Sequence, residues 1–369
     1  MGATSGKGAI VMGMKMYGYI SQSPKAMENI LHTRKEHAKA FVDLFMQKRP
    51  DRIYLCGCGT SYNACASACR FMEKVLDTEV TIFTPTLAPG EETVRKTNPI
   101  FIAVSQGGSS TNTTAAVERF CDYPWVALSA QEACVLNDKC GASCLIACGE
   151  EDNGAKTMGY YATVLSLYVL ALEAGQAAGT IAPERYNDYI LKIEREVRAM
   201  PENVRRTRAW YERNLEELKQ MKKITIIGKG VASAIAAESA LKLVETVRYP
   251  AMGYEFEEYL HGPDDLLDEE LYTLMLLSRG EQHDRMLRLI EFQKNGTEHN
   301  FVVSLGEDLG EGRNLSLLSV EDEDFTPFEQ MLPAQVIAAL LPPVIGREES
   351  PEYFSNYYDL MGTKAPGGK

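Results

Sequence analysis

The stretch Ile53-Tyr-Leu-Cys-Gly57-Cys-Gly59-Thr60-Ser61-Tyr62-Asn63 runs from a short apolar segment through Gly-x-Gly into an alanine-rich segment with helical spacing. The same order returns at Ile224-Thr-Ile-Ile-Gly228-Lys-Gly230, again ahead of an alanine-rich helical segment. A buried strand turning tightly into a helix, met twice in one chain, predicts two α/β halves. Outward from the first copy, apolar runs at 53–56, 80–83, 100–104, 125–128 and 144–147 read as strands separated by helical segments. Runs at 224–227, 272–277 and 300–304 repeat the pattern. Such alternation favours parallel sheets, doubly wound with helices on both faces. A helical stretch is expected over 24–47, and a charged helical linker over 183–220, with a break at Pro201. The small polar residues 1–7 are set aside as a start with no part in the fold.

The chain has 369 residues, 38 basic and 51 acidic, for a net charge of -13. That balance argues against a nucleic-acid partner, since a duplex binder needs a basic face to neutralise phosphates. No apolar run approaches the roughly 18 residues of a membrane span, so no membrane partner and a cytoplasmic location are expected. The nine cysteines all lie between Cys56 and Cys148, an odd number in a chain with ample apolar residues. They read as reduced core residues, and their spacing matches no usual zinc pair, so no metal is expected.

Two loops carry a possible chemistry. After the first strand, Gly57-Cys-Gly59-Thr60-Ser61 places glycines and hydroxyls at a helix start, where backbone N–H groups lack partners and the dipole favours an anion. It is neither a P-loop, lacking Gly-Lys-Ser/Thr, nor a dinucleotide fingerprint, lacking the third glycine. A plain strand-to-helix turn explains it equally well. The second loop, Ser105-Gln106-Gly107-Gly108-Ser109-Ser110-Thr111-Asn112-Thr113, supplies five hydroxyls and two glycines after another strand. A helix cap uses two of those hydroxyls. Loops beyond the carboxyl ends of two strands of one sheet can converge on a single anion, and hydroxyls without clustered Lys or Arg suit a phosphomonoester.

With these loops the sequence resembles the sugar isomerase (SIS) domain family, in the two-copy layout of the isomerase half of glucosamine-6-phosphate synthase. The likeness runs from about Tyr17 to the C-terminus and includes Cys58-Gly-Thr-Ser-Tyr-Asn63 and Ser105-Gln106. It implies two tandem SIS domains of flavodoxin-like topology, with Thr60, Ser61, Ser105, Gln106 and Ser110 as the sugar-phosphate contacts. Gly107 and Ser109 stand where the family more often has Ser and Glu. The division expected is a lead and helix over 1–47, SIS domains over 48–200 and 201–346, and a tail over 347–369.

In Glu238-Ser-Ala-Leu-Lys242-Leu-Val-Glu245 the charged residues fall at i, i+4 and i+7, on one helix face. A solvated stripe gives the same spacing. Sixteen residues on comes His261, ahead of Gly262-Pro263, in a segment, 255–270, with eight acidic residues and no Lys or Arg. Such a field should hold up the pKa of a histidine that a turn presents to a ligand; a surface turn histidine is the plain alternative. The two motifs together resemble the family's catalytic helix and histidine turn. By that resemblance Glu245 moves a proton between sugar C1 and C2, and His261, from the neighbouring subunit of a homodimer, helps open the ring. Lys242 and Glu238 assist at the sugar hydroxyls, and no cofactor is implied.

The synthase takes ammonia from a glutaminase domain with an N-terminal cysteine nucleophile; this sequence has no cysteine before Cys56. The expected reaction is therefore breakdown, in the manner of the fructosamine-6-phosphate deglycases that resemble this family: a 6-phosphorylated sugar-amine adduct gives hexose 6-phosphate and free amine. A ketose/aldose phosphosugar isomerase, an amino-sugar phosphate deaminase and a non-catalytic sugar-phosphate sensor remain alternatives. The ending departs from the synthase pattern, with Lys364 only loosely in place of the family's substrate-contacting lysine.

Overall fold

The computed structural model describes residues 5–310, 312–347, 354 and 356–365. They hold two five-stranded parallel sheets flanked by helices. The first contains β1 (Arg52–Cys56), β2 (Glu79–Phe83), β3 (Pro99–Val104), β4 (Trp125–Ser129) and β5 (Ala142–Leu145), in the order β2-β1-β3-β4-β5. The second contains β6 (Lys223–Gly228), β7 (Ala251–Glu255), β8 (Leu271–Leu276), β9 (Asn300–Leu305) and β10 (Asn314–Leu317), in the order β10-β9-β8-β6-β7. Read from the other edge, the second order is the first repeated. Both are the 2-1-3-4-5 order of flavodoxin-like sheets.

The chain divides into two compact units: Lys25–Asp152 with Met158–Leu191 and Ser350–Lys369, and Met1–Pro24 with Asn153–Thr157 and Lys192–Glu349. In the unit of the first sheet, β3 is buried along its whole length, as a central parallel strand with both faces covered must be. One face carries an aromatic stack in which Phe101 lies 4.7 Å from Tyr54 and 4.6 Å from Trp125, centroid to centroid. The helix Met158–Ala178 is buried over nearly its full length, which accounts for a sequence apolar all round. It packs on the helix Thr60–Leu76, where Phe71 stacks on Tyr168. In the unit of the second sheet, Ile227, Met275 and Val302 from three strands meet Phe256, Tyr259 and Met286. The helix Leu332–Val344 packs there against Val231–Thr246.

Three expectations need correction. Pro201 does not break the linker: Pro183–Arg213 is one helix. Ile193, Met200, Val204 and Trp210 are buried at helical spacing on both sides of the proline, and this stripe outweighs the one backbone hydrogen bond it removes. Helix begins well before Pro24, in Ser5–His32, so the start that was set aside is helical from Ser5; residues 1–4 lie outside the described residues. The last strand of the first sheet spans Ala142–Leu145 and not 144–147; the chain turns just beyond it, where Cys148 N–H donates to the Ile146 carbonyl at 2.7 Å. No helix among the described residues is long and apolar enough to cross a membrane.

Candidate active site

Both sheets place their first strand, β1 or β6, between the second and third, so the crossovers leave on opposite sides at its carboxyl end. Ligands of open α/β sheets bind at such a switch point. In the first sheet Cys56 pairs with Ala103, so the loops that follow β1 and β3 leave the sheet side by side. They are the two loops marked in the sequence. The turn after β1 needs its glycines: Gly59 has φ 56°, and a Cβ on Gly57 would lie 3.2 Å from Ser61 and from the Tyr62 nitrogen. Gly230 repeats that conformation, with φ 60°. The cap of the helix Thr60–Leu76 is Gly59, which has no side chain to accept the first-turn N–H protons. Thr60 and Ser61 are its first two residues, both half-buried.

The loop after β3 is braced from beneath. Ser105 N–H donates to the Leu128 carbonyl at 3.1 Å, and Ala130 N–H to the Gln106 carbonyl at 2.9 Å. Gly108 has φ 63°, and a Cβ there would lie 2.2 Å from Cys134 Sγ. Ser110 caps the helix Thr111–Arg119, accepting from Thr113 N–H at 3.4 Å and from the Thr113 hydroxyl at 3.0 Å. Part of the hydroxyl content is thus spent on the cap. The Ser110 proton is still available to a ligand, and Ser105 is 8% exposed. Ser109, one of the loop hydroxyls and a departure from the family, holds a buried hydroxyl with no partner among the described residues. Gln106 reaches Glu151, a residue that carried no sequence signal.

The tail comes to this loop. Lys364 pairs with Ser110 in an antiparallel bridge, and Ala365 N–H donates to the Ser109 carbonyl at 2.8 Å. The Thr111 hydroxyl donates to the Gly362 carbonyl at 2.6 Å. Lys364 itself is exposed. A separate cavity of about 440 Å³ at the edge strand β5, lined by Glu36, His37, Asp43 and Glu132 among others, includes none of the residues singled out in the sequence.

In the unit of the second sheet, the helix Val231–Thr246 follows β6 and carries Glu238, Lys242 and Glu245. They do not form a solvated stripe. The side chains of Glu238 and Lys242 are 0% and 1% exposed, and Lys242 Nζ lies 3.5 Å from Glu238 Oε1. Lys242 also donates to Glu245 Oε2, whose side chain is 35% exposed. Burial works against the lysine charge, but Glu238 and Glu245 outweigh it and hold the pKa above the ordinary value. The arrangement is an accessible carboxylate backed by a buried cation, itself backed by a buried carboxylate. His261 is exposed on the turn before Gly262, whose φ of 126° only glycine adopts readily. The His261 side chain makes no hydrogen bond or ion pair with Glu245.

None of the nine cysteines is held in a disulfide. Burial pushes the thiols of Cys69, Cys140 and Cys144 up to about 12; Cys56, Cys65, Cys144 and Cys148 are buried as core residues are, whereas Cys58, Cys69, Cys134 and Cys140 are half-buried and Cys121 is exposed. No group of three or more His, Cys, Asp or Glu among the described residues is placed to hold a metal.

The fold and its loops define a class: an α/β protein with two tandem domains, each a five-stranded parallel sheet flanked by helices, an architecture consistent with tandem SIS domains. Residues 217–304 match the model of the SIS domain family. The chain is related to the isomerase half of glucosamine-6-phosphate synthase. It is 29% identical over 276 residues to glutamine–fructose-6-phosphate aminotransferase (isomerizing) of Caulobacter vibrioides, covering 68% of this chain and 44% of that one. The chain spans about half the length of the curated relatives it matches. Among solved structures, a Clostridium difficile 630 protein provisionally named a phosphosugar isomerase is 27% identical with a TM-score of 0.88, over 95% of this chain and 99% of that one. The C-terminal domain of glucosamine-fructose-6-phosphate aminotransferase from Francisella tularensis shares the fold, with a TM-score of 0.77 at 17% identity, over 91% and 97% of the two chains.

Proposed function

We propose that this protein is a cytoplasmic phosphosugar enzyme that cleaves a 6-phosphorylated sugar-amine adduct into hexose 6-phosphate and free amine. The observation that carries the reading is the pair of glycine and hydroxyl loops side by side at the β1/β3 switch point. In this reading Thr60, Ser61, Ser105, Gln106 and Ser110 hold the phosphate end of the sugar. Ser109 is a further candidate in the same loop, and Lys364 a candidate for the sugar itself.

Glu245 is the base. Its accessible carboxylate takes a proton from C1 of the open-chain adduct, and the electron pair forms an enaminol. Return of the proton to C2 gives the C1 imine. Water adds to the imine carbon, the C–N bond breaks, and amine and aldose 6-phosphate leave. The buried charge of Lys242 keeps Glu245 oriented, and Glu238 balances that charge. His261 of a second copy assists ring opening in a homodimer. Breakdown needs only water, whereas synthesis needs ammonia from another source, so breakdown is the simplest chemistry for these groups.

The test is incubation with fructosamine 6-phosphates of several amino acids and with their unphosphorylated forms, followed by assay of hexose products. Release of hexose 6-phosphate from the phosphorylated series alone supports the reading. Turnover of ketose 6-phosphates without amine release makes the protein an isomerase. Equal turnover of phosphorylated and free adducts overturns the phosphate assignment.

A further inference from the structure

Glu151 is 5% exposed, and its place beside an anion-binding loop is electrostatically unfavourable for any phosphate bound there. Its contacts give a reason for it. Oε2 accepts the Gly159 N–H at 2.8 Å, inside the first turn of the helix Met158–Ala178, a turn with no acidic residue of its own. A carboxylate is favourable at a helix start, where N–H groups have no partner. The same oxygen lies 3.4 Å from Gln106 Nε2. Gln106 in turn lies flat against Gly159: a Cβ on that glycine would be 2.1 Å from Gln106 Oε1, 2.3 Å from Cδ and 2.3 Å from Nε2. In this position the amide is packed on one face against a residue that has no side chain, and held at one edge by a carboxylate.

That edge decides which way the amide points. A carboxylate only accepts hydrogen bonds, so the Gln106 NH2 must face Glu151, since the flipped amide would set its carbonyl oxygen against the charge. One N–H of Gln106 is committed to Glu151, while the other stays available beyond the β3 strand end. A donor fixed there suits an anion, and its geometry is set before the ligand arrives.

We infer that Glu151 is a positioning residue for the sugar-phosphate site, acting through Gln106, with Gly159 as the floor on which the amide rests. The inference rests on the phosphate reading of the loop proposed above. It extends the site to two residues that lie 45 and 53 positions beyond Gln106 in the sequence.

The probe is glucose 6-phosphate, titrated calorimetrically into the full chain. Glu151→Ala is expected to weaken binding about tenfold, as loss of a hydrogen bond to a charged group does. Gln106→Ala should weaken it similarly, and Glu151→Ala added to Gln106→Ala should weaken it no further. A merely structural role would not vanish in that background. Gly159→Ala supplies a variant that keeps its fold, because the new Cβ meets only the end of a flexible side chain and alanine favours the helix. It should also lose about tenfold in affinity. The inference is overturned if Glu151→Ala acts equally with and without Gln106, or if Gly159→Ala binds within twofold of the parent. A parent chain that binds no glucose 6-phosphate while folded would overturn the phosphate reading itself, and this assignment with it.

Discussion

Replacing Lys242 by methionine tests the charge arrangement of the Val231–Thr246 helix. The lysine is 1% exposed, with Glu238, 0% exposed, 3.5 Å from its Nζ. Its pKa is held above the ordinary lysine value, so its stabilising charge is present at all pH values below that range and is lost only as pH rises through it. Methionine keeps most of the volume and removes the charge, leaving Glu238 as a buried carboxylate without its ammonium. Removing one partner of a buried pair costs about 3–5 kcal/mol. The cost is avoidable at acid pH, because Glu238 can then bind a proton. In the variant Glu238 has a raised folded-state pKa, so the variant regains stability as pH falls and loses it as pH rises. Urea unfolding of Lys242→Met should show a loss of about 3 kcal/mol or more at pH 8 and less than half of that at pH 5.5. Glu238→Gln combined with Lys242→Met should recover most of the loss at pH 8. A loss below about 1 kcal/mol at pH 8, or one independent of pH, would refute the reasoning.

Glu196 and Glu329 form a second buried carboxyl pair, 1% and 0% exposed; burial first and the neighbouring Glu329 next push Glu196 well up, and one proton is expected to be shared between the two. Burial pushes Glu329 up to about 7, so the pair's stabilisation is full below the ordinary carboxyl range and is lost as pH rises through 7; Glu329→Gln should flatten the fall in melting temperature between pH 5 and 9, and an unchanged slope would count against the shared proton. Gly108→Ala forces a side chain onto φ 63° and against Cys134 Sγ, and is expected to weaken glucose 6-phosphate binding at least about tenfold in calorimetry; parent-like affinity would contradict the tight loop. Mixing inactive Glu245→Gln with inactive His261→Ala chains should restore some activity if two copies share each site, and a fully exchanged heterodimer with none would exclude sharing.

The repeated fold was legible because the two Gly-x-Gly turns answer to a backbone requirement: Gly59 and Gly230 sit at nearly the same positive φ in the same strand-to-helix corner. The eight strands expected from apolar runs are all present, whereas β7 and β10 were not foreseen. Both are edge strands; β7 is Ala-Met-Gly-Tyr-Glu, half-buried throughout and without a β-branched residue, and β10 alternates over only four residues. Such segments owe their pairing to the neighbouring strand more than to their own composition. At the site, sequence spacing put Glu238, Lys242 and Glu245 on one face but could not tell a wet stripe from a buried pair. That distinction depends on what packs against the Val231–Thr246 helix, which includes the Leu332–Val344 helix, distant in sequence. Glu151 was invisible for the same reason, and Lys364 could be placed only loosely, since the contacts of Glu151 and of the tail with the loop after β3 cross 45 and 251 positions.

The most direct test of the central claim is the rate at which Glu245→Gln releases hexose 6-phosphate from a fructosamine 6-phosphate in D2O, followed by NMR beside the parent chain. Because the Glu245 side chain is 35% exposed, its carboxyl can exchange the abstracted proton with solvent before delivering it, so the parent should release product carrying some deuterium at C2, and the variant, folded but without its base, should be slower by about 10²–10⁴-fold. Release by Glu245→Gln at near the parent rate would contradict the account.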